Sequence, residues 1–248
     1  MEPAILSAVT SGVATISLCN PAKRNAMTPD MWRALPPLLS SLAEDSAVRA
    51  LVLTGEGDTF CAGADIGSIR SGIAPRELTT NAEEALAAFP KPTVAAIRGH
   101  AVGGGCQLAA ACDLRFAEEG ARFGVTPARL GIVYPATSTA RLRRLVGPST
   151  TKFLLYSAEL IGTERALRCG LVDEVLPAGT LEARVAEFTA TLAARSRLTQ
   201  RAAKEFTDRP IDPERVEHWR RQEESTAEVA EGVAAFLERR PPRFGWDG

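Results

Sequence analysis

Apolar residues recur along the chain in two periods, and the change from one to the other marks out the elements. Gly12–Leu18 alternates and is rich in β-branched side chains, which predicts a strand. Arg49–Thr54 and Thr93–Ile97 are nearly continuous apolar runs, the first closed by Gly55 and the second bounded by Pro92 and Gly99. Such runs predict strands buried on both faces, in a parallel or mixed sheet covered by helices. Thr28 as N-cap and Pro29 at the first helical position open a helix carrying Met31, Leu35, Leu38, Leu39 and Leu42. Pro36-Pro37 predicts a kink or restart inside it, because each proline removes a donor and crowds the preceding turn.

Helical spacing dominates the second half. Residues 148–157, 163–169 and 180–195 read as helices, with a short strand at Leu171–Leu176 between the last two. A final helical stretch starts at Asp212 as N-cap with Pro213. It carries Val216, Trp219, Val229, Val233, Phe236 and Leu237 before Pro241-Pro242 ends it. The division expected is a core over 1–195 and a helical region over 196–248, with no internal repeat and no low-complexity linker.

Composition narrows the function classes. Of 248 residues, 45% are hydrophobic and 24% charged, which excludes wholesale disorder. Lys and Arg number 29 against 30 Asp and Glu, so no broad cationic footprint for nucleic acid or an anionic membrane exists. Five cysteines without a C-x-x-C pair, and two histidines, predict buried free thiols in a reducing compartment rather than a zinc site. Residues 1–20 lack a basic segment followed by a sustained apolar run, and no apolar run approaches the ~20 residues of a spanning helix. A cytoplasmic chain is expected.

Candidate chemistry concentrates in 93–117, where a buried strand meets Gly103-Gly104-Gly105 and then an Ala/Leu-rich helix. Glycine permits close backbone approach, and a helix start offers unpaired N–H groups with a favourable dipole. That pattern suits a phosphate or a developing oxyanion. No Gly-Lys-Ser/Thr follows, and neither spacing nor a placed acid fits a dinucleotide fingerprint.

Other segments bear on the same site. They are Asn20-Pro21-Ala22-Lys23-Arg24-Asn25-Ala26-Met27, Thr59–Ile66 and Cys112-Asp113-Leu114. Further along come Phe123-Gly124 with Leu130-Gly131, Arg141-Leu142, Gly170–Val175 and the ending Ala235–Phe244. In order and spacing, over nearly the whole chain, these resemble the crotonase superfamily of enoyl-CoA hydratases and isomerases. The resemblance implies an α/β fold, the ClpP/crotonase spiral of ββα units with a C-terminal helical region that forms trimers or dimers of trimers and closes the pocket. It implies an acyl-CoA ligand whose thioester oxygen is held by the Ala64 and Gly104 amides. Lys23 and Arg24 would lie near the CoA phosphates and Ala62 and Ile66 beside the adenine, with Ala26, Ala64, Asp65 and Gly104 completing the CoA site. No separate cofactor and no metal are implied, since CoA enters as part of the substrate.

The chain departs from the family where proton transfer is done. The resemblance puts one glutamate at the position of Gln107 and a second at Pro127, or at Ala128 if prolines are matched. None of these residues ionises, so hydration of the usual kind is expected to be weak. Tyr134 is a candidate acid or hydrogen-bond donor. Asp65 is expected to support its loop, His100 to be structural or exposed, and Cys106 to be core. Glu83 and Glu84 fall on a helix over the acyl pocket, and Arg141, Arg143 and Arg144 on a solvated or intersubunit face. The leading expectation is a crotonase-like enzyme stabilising a thioester enolate. The alternatives are a non-catalytic acyl-CoA carrier or sensor, and a scaffold or RNA-binding protein that uses its surface.

Overall fold

The computed structural model describes residues 2–70 and 76–247. The chain opens with an antiparallel hairpin of β1 (Ala4–Thr10) and β2 (Val13–Cys19). Its turn passes through Ser11 and Gly12, both at positive φ, which matches the twist of the strands. Then come α1 (Pro29–Glu44), β3 (Ala50–Gly55), α2 (Ile66–Arg70), α3 (Arg76–Ala87), β4 (Thr93–Ile97), β5 (His100–Val102) and α4 (Gly104–Ala111). They are followed by β6 (Leu114–Glu118), β7 (Arg122–Gly124), α5 (Pro127–Leu130), α6 (Ala136–Ser157), β8 (Ile161–Gly162), α7 (Thr163–Arg168) and β9 (Glu174–Leu176). Four helices close the described chain: α8 (Leu181–Ala193), α9 (Arg197–Asp208), α10 (Pro213–Glu224) and α11 (Glu228–Glu238).

The strands form two sheets. One has the order β1-β2-β3-β4-β6-β9 and is parallel apart from the hairpin; the other has the order β5-β7-β8. Two-strand-plus-helix units therefore repeat, with β4 and β6 in the large sheet and their successors β5 and β7 in the small one. This is the expected ββα spiral. Alternation along β3 explains its continuous apolar run. Leu51 and Leu53 join Ile16, Leu18, Trp32, Leu35 and Leu108 in the main core. Val52 faces the other way, with Val94, Ala96 and Phe116 against Leu181 and Val185 of α8.

Several local expectations needed correction. The edge strand β1 carries five exposed residues, so its pattern gave no apolar alternation to read. Pro36 and Pro37 do not break α1; Thr28 caps it as expected, accepting from Met31 N at 3.3 Å. Its buried stripe of Met31, Trp32, Leu35, Leu39 and Leu42 holds the helix through the prolines, and Pro37 faces solvent. The helix expected at 148–157 is present; a preceding helix from Ala136, not expected, runs into it through a corner at Gly147 (φ 72°, ψ 169°), just before Pro148. The strand expected at 171–176 is paired only over Glu174–Leu176, because Val172 N turns back to the Ala166 carbonyl. The last helical stretch starts at Asp212, whose carboxylate accepts from Glu214 N, but it divides at 225–227.

Polar ties attach the tail helices. Lys204 on α9 pairs with Asp113 at 2.8 Å, and Asp113 also accepts from Thr93 N at 2.7 Å. Asp173 accepts from both the backbone N and the guanidinium of Arg115, joining β6 to the approach to β9. Within the tail, Glu205 receives Arg215 and the Trp219 indole N–H, and chiefly the Arg215 hydrogen bond holds its carboxyl down at about 2.

Candidate active site

The site starts from a locked loop. Asn25 takes a left-handed conformation (φ 57°) and is buried. Its Oδ1 accepts from Asn20 N at 2.9 Å, while Nδ2 donates to the Glu56 and Thr59 carbonyls. Asn20 in turn donates to the Ala26 carbonyl at 2.7 Å. The two asparagines thus fasten the turn before α1 to the strand-end loop at 56–59 without a covalent link.

The neighbouring segment 61–65 is stitched on both sides. Cys61 N donates to the His100 carbonyl at 2.8 Å, and Val102 N to the Cys61 carbonyl at 3.0 Å. On the other side Met27 N donates to the Gly63 carbonyl at 2.8 Å, and Asp65 N to the Met27 carbonyl at 2.9 Å. This parallel bridge is centred on Ala64, so the Ala64 N–H points away from Met27. Gly63 reaches the geometry with φ 107°, open to few residues other than glycine.

Gly104 begins α4, where the first amides of a helix have no internal partner. Among the described residues neither the Ala64 nor the Gly104 amide has a protein acceptor, and the Ala64 nitrogen lies 3.6 Å from where a Cβ on Gly104 would sit. The next glycine is fixed by contact: a Cβ on Gly105 would fall 2.3 Å from the Cys61 carbonyl oxygen. Two amides without a protein acceptor among the described residues therefore lie side by side at the start of α4.

Beside them lies a cavity of about 290 Å³, lined by Ala64, Gly104, Gln107, Pro127, Leu130 and Tyr134 among others. Pro127 is buried and lines it, whereas Ala128 is exposed. Tyr134 is the sole titratable side chain among the described lining residues. Its hydroxyl is buried with no partner among the described residues, and burial holds it well above its ordinary value, so it remains a donor rather than a base.

Behind the cavity wall stands a cluster that the sequence does not reveal. Gln107 Nε2 donates to Glu83 Oε2 at 3.0 Å and to Ser138 Oγ at 2.8 Å, and Ser138 Oγ donates to Glu83 at 2.5 Å. Arg141 is buried and paired with Glu83 and with Glu84, the latter at 3.0 Å. The expectation of a solvated or intersubunit face therefore fails for Arg141: Glu83 and Glu84 draw it inward, while Arg143 and Arg144 stay exposed. Burial raises the Glu83 carboxyl above its ordinary value, partly offset by Ser138 and Arg141. Ser138 was missed altogether, and nothing in the spacing of 83, 107, 138 and 141 could have found the group.

Of the remaining predicted residues, Ala62 and Ile66 line the cavity. Lys23 pairs with Asp65 at 2.7 Å, and Asp65 also accepts from Gly67 N, so its carboxyl lies below its ordinary value, mainly through Lys23. Arg24 is exposed in a left-handed turn, Ile66 is 59% exposed, Ala62 is partly exposed and Ala26 is buried. His100 is partly buried in β5. Cys106 is buried, and burial pushes its thiol up to about 12. No cluster of three or more His, Cys, Asp or Glu that could hold a metal occurs among the described residues.

Known proteins share this architecture over the whole length. A family model for enoyl-CoA hydratase/isomerase matches residues 8–247. The crotonyl-CoA hydratase of Syntrophomonas wolfei is 32% identical over 244 residues, covering 94% of both chains. The 2,3-dehydroadipyl-CoA hydratase of Escherichia coli is 33% identical over 246 residues, also covering 94% of both. A solved enoyl-CoA hydratase/isomerase family member superposes with a TM-score of 0.94 at 36% identity, covering 100% of this chain and 98% of that one. The Bacillus anthracis enoyl-CoA hydratase superposes at 0.86 with 31% identity, covering 97% and 98%. With its motifs, its two-sheet spiral and its full-length likeness in agreement, the chain belongs to the enoyl-CoA hydratase/isomerase family of the crotonase superfamily.

Proposed function

We propose that this protein binds acyl-CoA thioesters and polarises the thioester carbonyl between the Ala64 and Gly104 amides. The observation that carries the reading is the pair of unpartnered backbone donors beside a mostly apolar cavity. Two preorganised donors stabilise negative charge as it develops on the carbonyl oxygen, and in a site of low dielectric they do so strongly. CoA enters as part of the substrate, with no separate cofactor. Its phosphates run past Lys23 and Arg24, and its adenine rests near Ala62, Ala26 and Ile66, with Asp65 holding Lys23 in place.

Proton transfer is where the chain departs from what the family resemblance implies. Gln107 and Pro127 stand where the family resemblance expects carboxylates, and no described residue lining the cavity is an acid. Gln107 orients a ligand and Tyr134 donates a hydrogen bond, but neither accepts a proton at neutral pH. Slow crotonyl-CoA hydration is expected, since positioned acid–base groups supply ~10²–10⁴-fold each. The same missing acids favour a second reading, an acyl-CoA carrier or sensor without turnover.

Calorimetry with short and long acyl-CoAs should show binding that free CoA matches only weakly; no binding across the series would end both readings. Hydration of crotonyl-CoA at an ordinary hydratase rate would end the claim about the missing acids, and turnover separates enzyme from sensor. The region 196–248 completes the assembly as a trimer or dimer of trimers, through the exposed apolar face of α11, where Phe236 is 82% and Leu237 74% exposed. Sedimentation at micromolar concentration would show a trimeric or hexameric mass; a monomer contradicts it. The free thiols of Cys61, Cys106, Cys112 and Cys169 suit a reducing compartment such as the cytoplasm, and no described helix is long and apolar enough to cross a membrane.

A further inference from the structure

Gln107 can meet its surroundings in two ways, since its amide has an accepting and a donating end. The buried cluster behind it permits only one. Arg141 can only donate, and it occupies one oxygen of Glu83. Ser138 spends its single hydroxyl proton on the other oxygen, so its Oγ is left to accept. The two neighbours of the Gln107 amide, Glu83 Oε2 and Ser138 Oγ, are therefore both acceptors, and they take both protons of Nε2. A flipped amide would set its oxygen against the carboxylate. Among the described residues no protein donor reaches Oε1. Gln107 lines the cavity, and Oε1 is the end of its amide that the cluster leaves free.

We propose that Glu83 is a positioning residue: it fixes the Gln107 amide with its oxygen toward the acyl cavity, so that the site selects acyl groups bearing a hydroxyl close to the thioester. The proposal rests on the reading that the thioester carbonyl lies at Ala64 and Gly104. Gln107 is three residues beyond Gly104, one helical turn away on the same face, within reach of the carbons next to that carbonyl. An acyl hydroxyl donates to Gln107 Oε1, whereas a 3-oxo group meets the Gln107 oxygen with another acceptor.

Glu83→Gln tests this, because its effect has a direction. Arg141 keeps the single oxygen of the new amide, so the new NH2 group takes the place of Oε2. Gln107 then has a donor beside it and turns over, presenting Nε2 to the cavity. The measurement is calorimetric affinity for butyryl-CoA, both enantiomers of 3-hydroxybutyryl-CoA and acetoacetyl-CoA. In the wild type one 3-hydroxy enantiomer should bind about three- to ten-fold more tightly than butyryl-CoA, the range of one net hydrogen bond. In Glu83→Gln that ratio should fall to about one, and acetoacetyl-CoA should gain over the hydroxy ligand.

A merely structural role for Glu83 would weaken all the ligands alike and leave the ratios unchanged, which overturns the proposal. A wild type that binds these thioesters without preferring the hydroxyl also overturns it, while leaving the parent reading intact. A wild type that binds none of them brings down the parent reading, and the proposal with it. If Glu83→Gln does not fold, Ser138→Ala removes one of the two acceptors that fix Nε2 while keeping the Glu83–Arg141 pair. It should reduce the hydroxyl preference by about two-fold or more, and an unchanged preference overturns the proposal equally.

Discussion

Gly104→Ala sets packing against catalytic geometry at a single atom. The added methyl would lie 2.9 Å from Trp32 Cζ2 and 3.1 Å from Cη2, where carbon atoms normally keep ~3.5–4.0 Å. Trp32 is 1% exposed and wedged in the main core, so the ring has no room to retreat. Overpacking of this kind costs about 1–3 kcal/mol. The first turn of α4 can relieve it by moving roughly 0.6 Å, the shortfall from an ordinary contact. That movement carries the Gly104 N–H out of the ~2.7–3.1 Å range an oxyanion donor needs, and loss of one such donor costs ~10²–10³-fold in rate. Gly120→Ala is the control: φ is 84°, nothing lies within 4 Å of the added carbon, and the backbone penalty is about 1–2 kcal/mol. The assay pairs thermal melting with the carbonyl ¹³C shift of bound [1-¹³C]butyryl-CoA. Both variants should melt lower, but only Gly104→Ala should lose the downfield shift that polarisation produces. If Gly104→Ala keeps the full shift, the reasoning about the two amides is wrong.

Two further outcomes follow from the charged groups. Gln107→Glu should not restore hydration, because the new carboxyl would stand about 3 Å from Glu83 and the two would share a proton at neutral pH. A rate profile showing a fully ionised new base near pH 5 would contradict that. Glu205, held at about 2 against an ordinary 4.5, stabilises the tail at pH values above 4.5, and this contribution disappears as pH falls from 4.5 toward 2. The emission of Trp219, which donates to Glu205, should report loosening of α10 over that window; in Arg215→Met the change should move up toward pH 4.5, and an unmoved transition would refute the assignment.

How much could be read in advance differs by kind of interaction. Strands β3 and β4, the caps at Thr28 and Asp212 and the glycine run were legible because each depends on its own few residues. The continuity of α1 through Pro36-Pro37 was not, since it comes from burial of the opposite stripe against the sheet. The segments that form the cradle were recognisable as motifs, but the meeting of the Ala64 and Gly104 amides depends on pairings of residues 61 with 101 and 27 with 64. Arg141 was misjudged for the same reason. A basic residue 58 positions after its acidic partner looks like surface until α3, α4 and α6 converge.

The small sheet separates what can change from what cannot. Gly103 N donates to the Gly124 carbonyl at 2.8 Å, so the strand pair that delivers Gly104 also anchors the chain three residues before Pro127. Beyond Gly131 (φ 65°) no strand pairing constrains the wall as far as α6, and Val133 there is 73% exposed. Mutation can therefore reshape the cavity wall at 130–134 while the two amides keep their spacing. On the proposed reading, lineages built on this scaffold can explore new acyl groups without re-inventing the means of polarising the thioester.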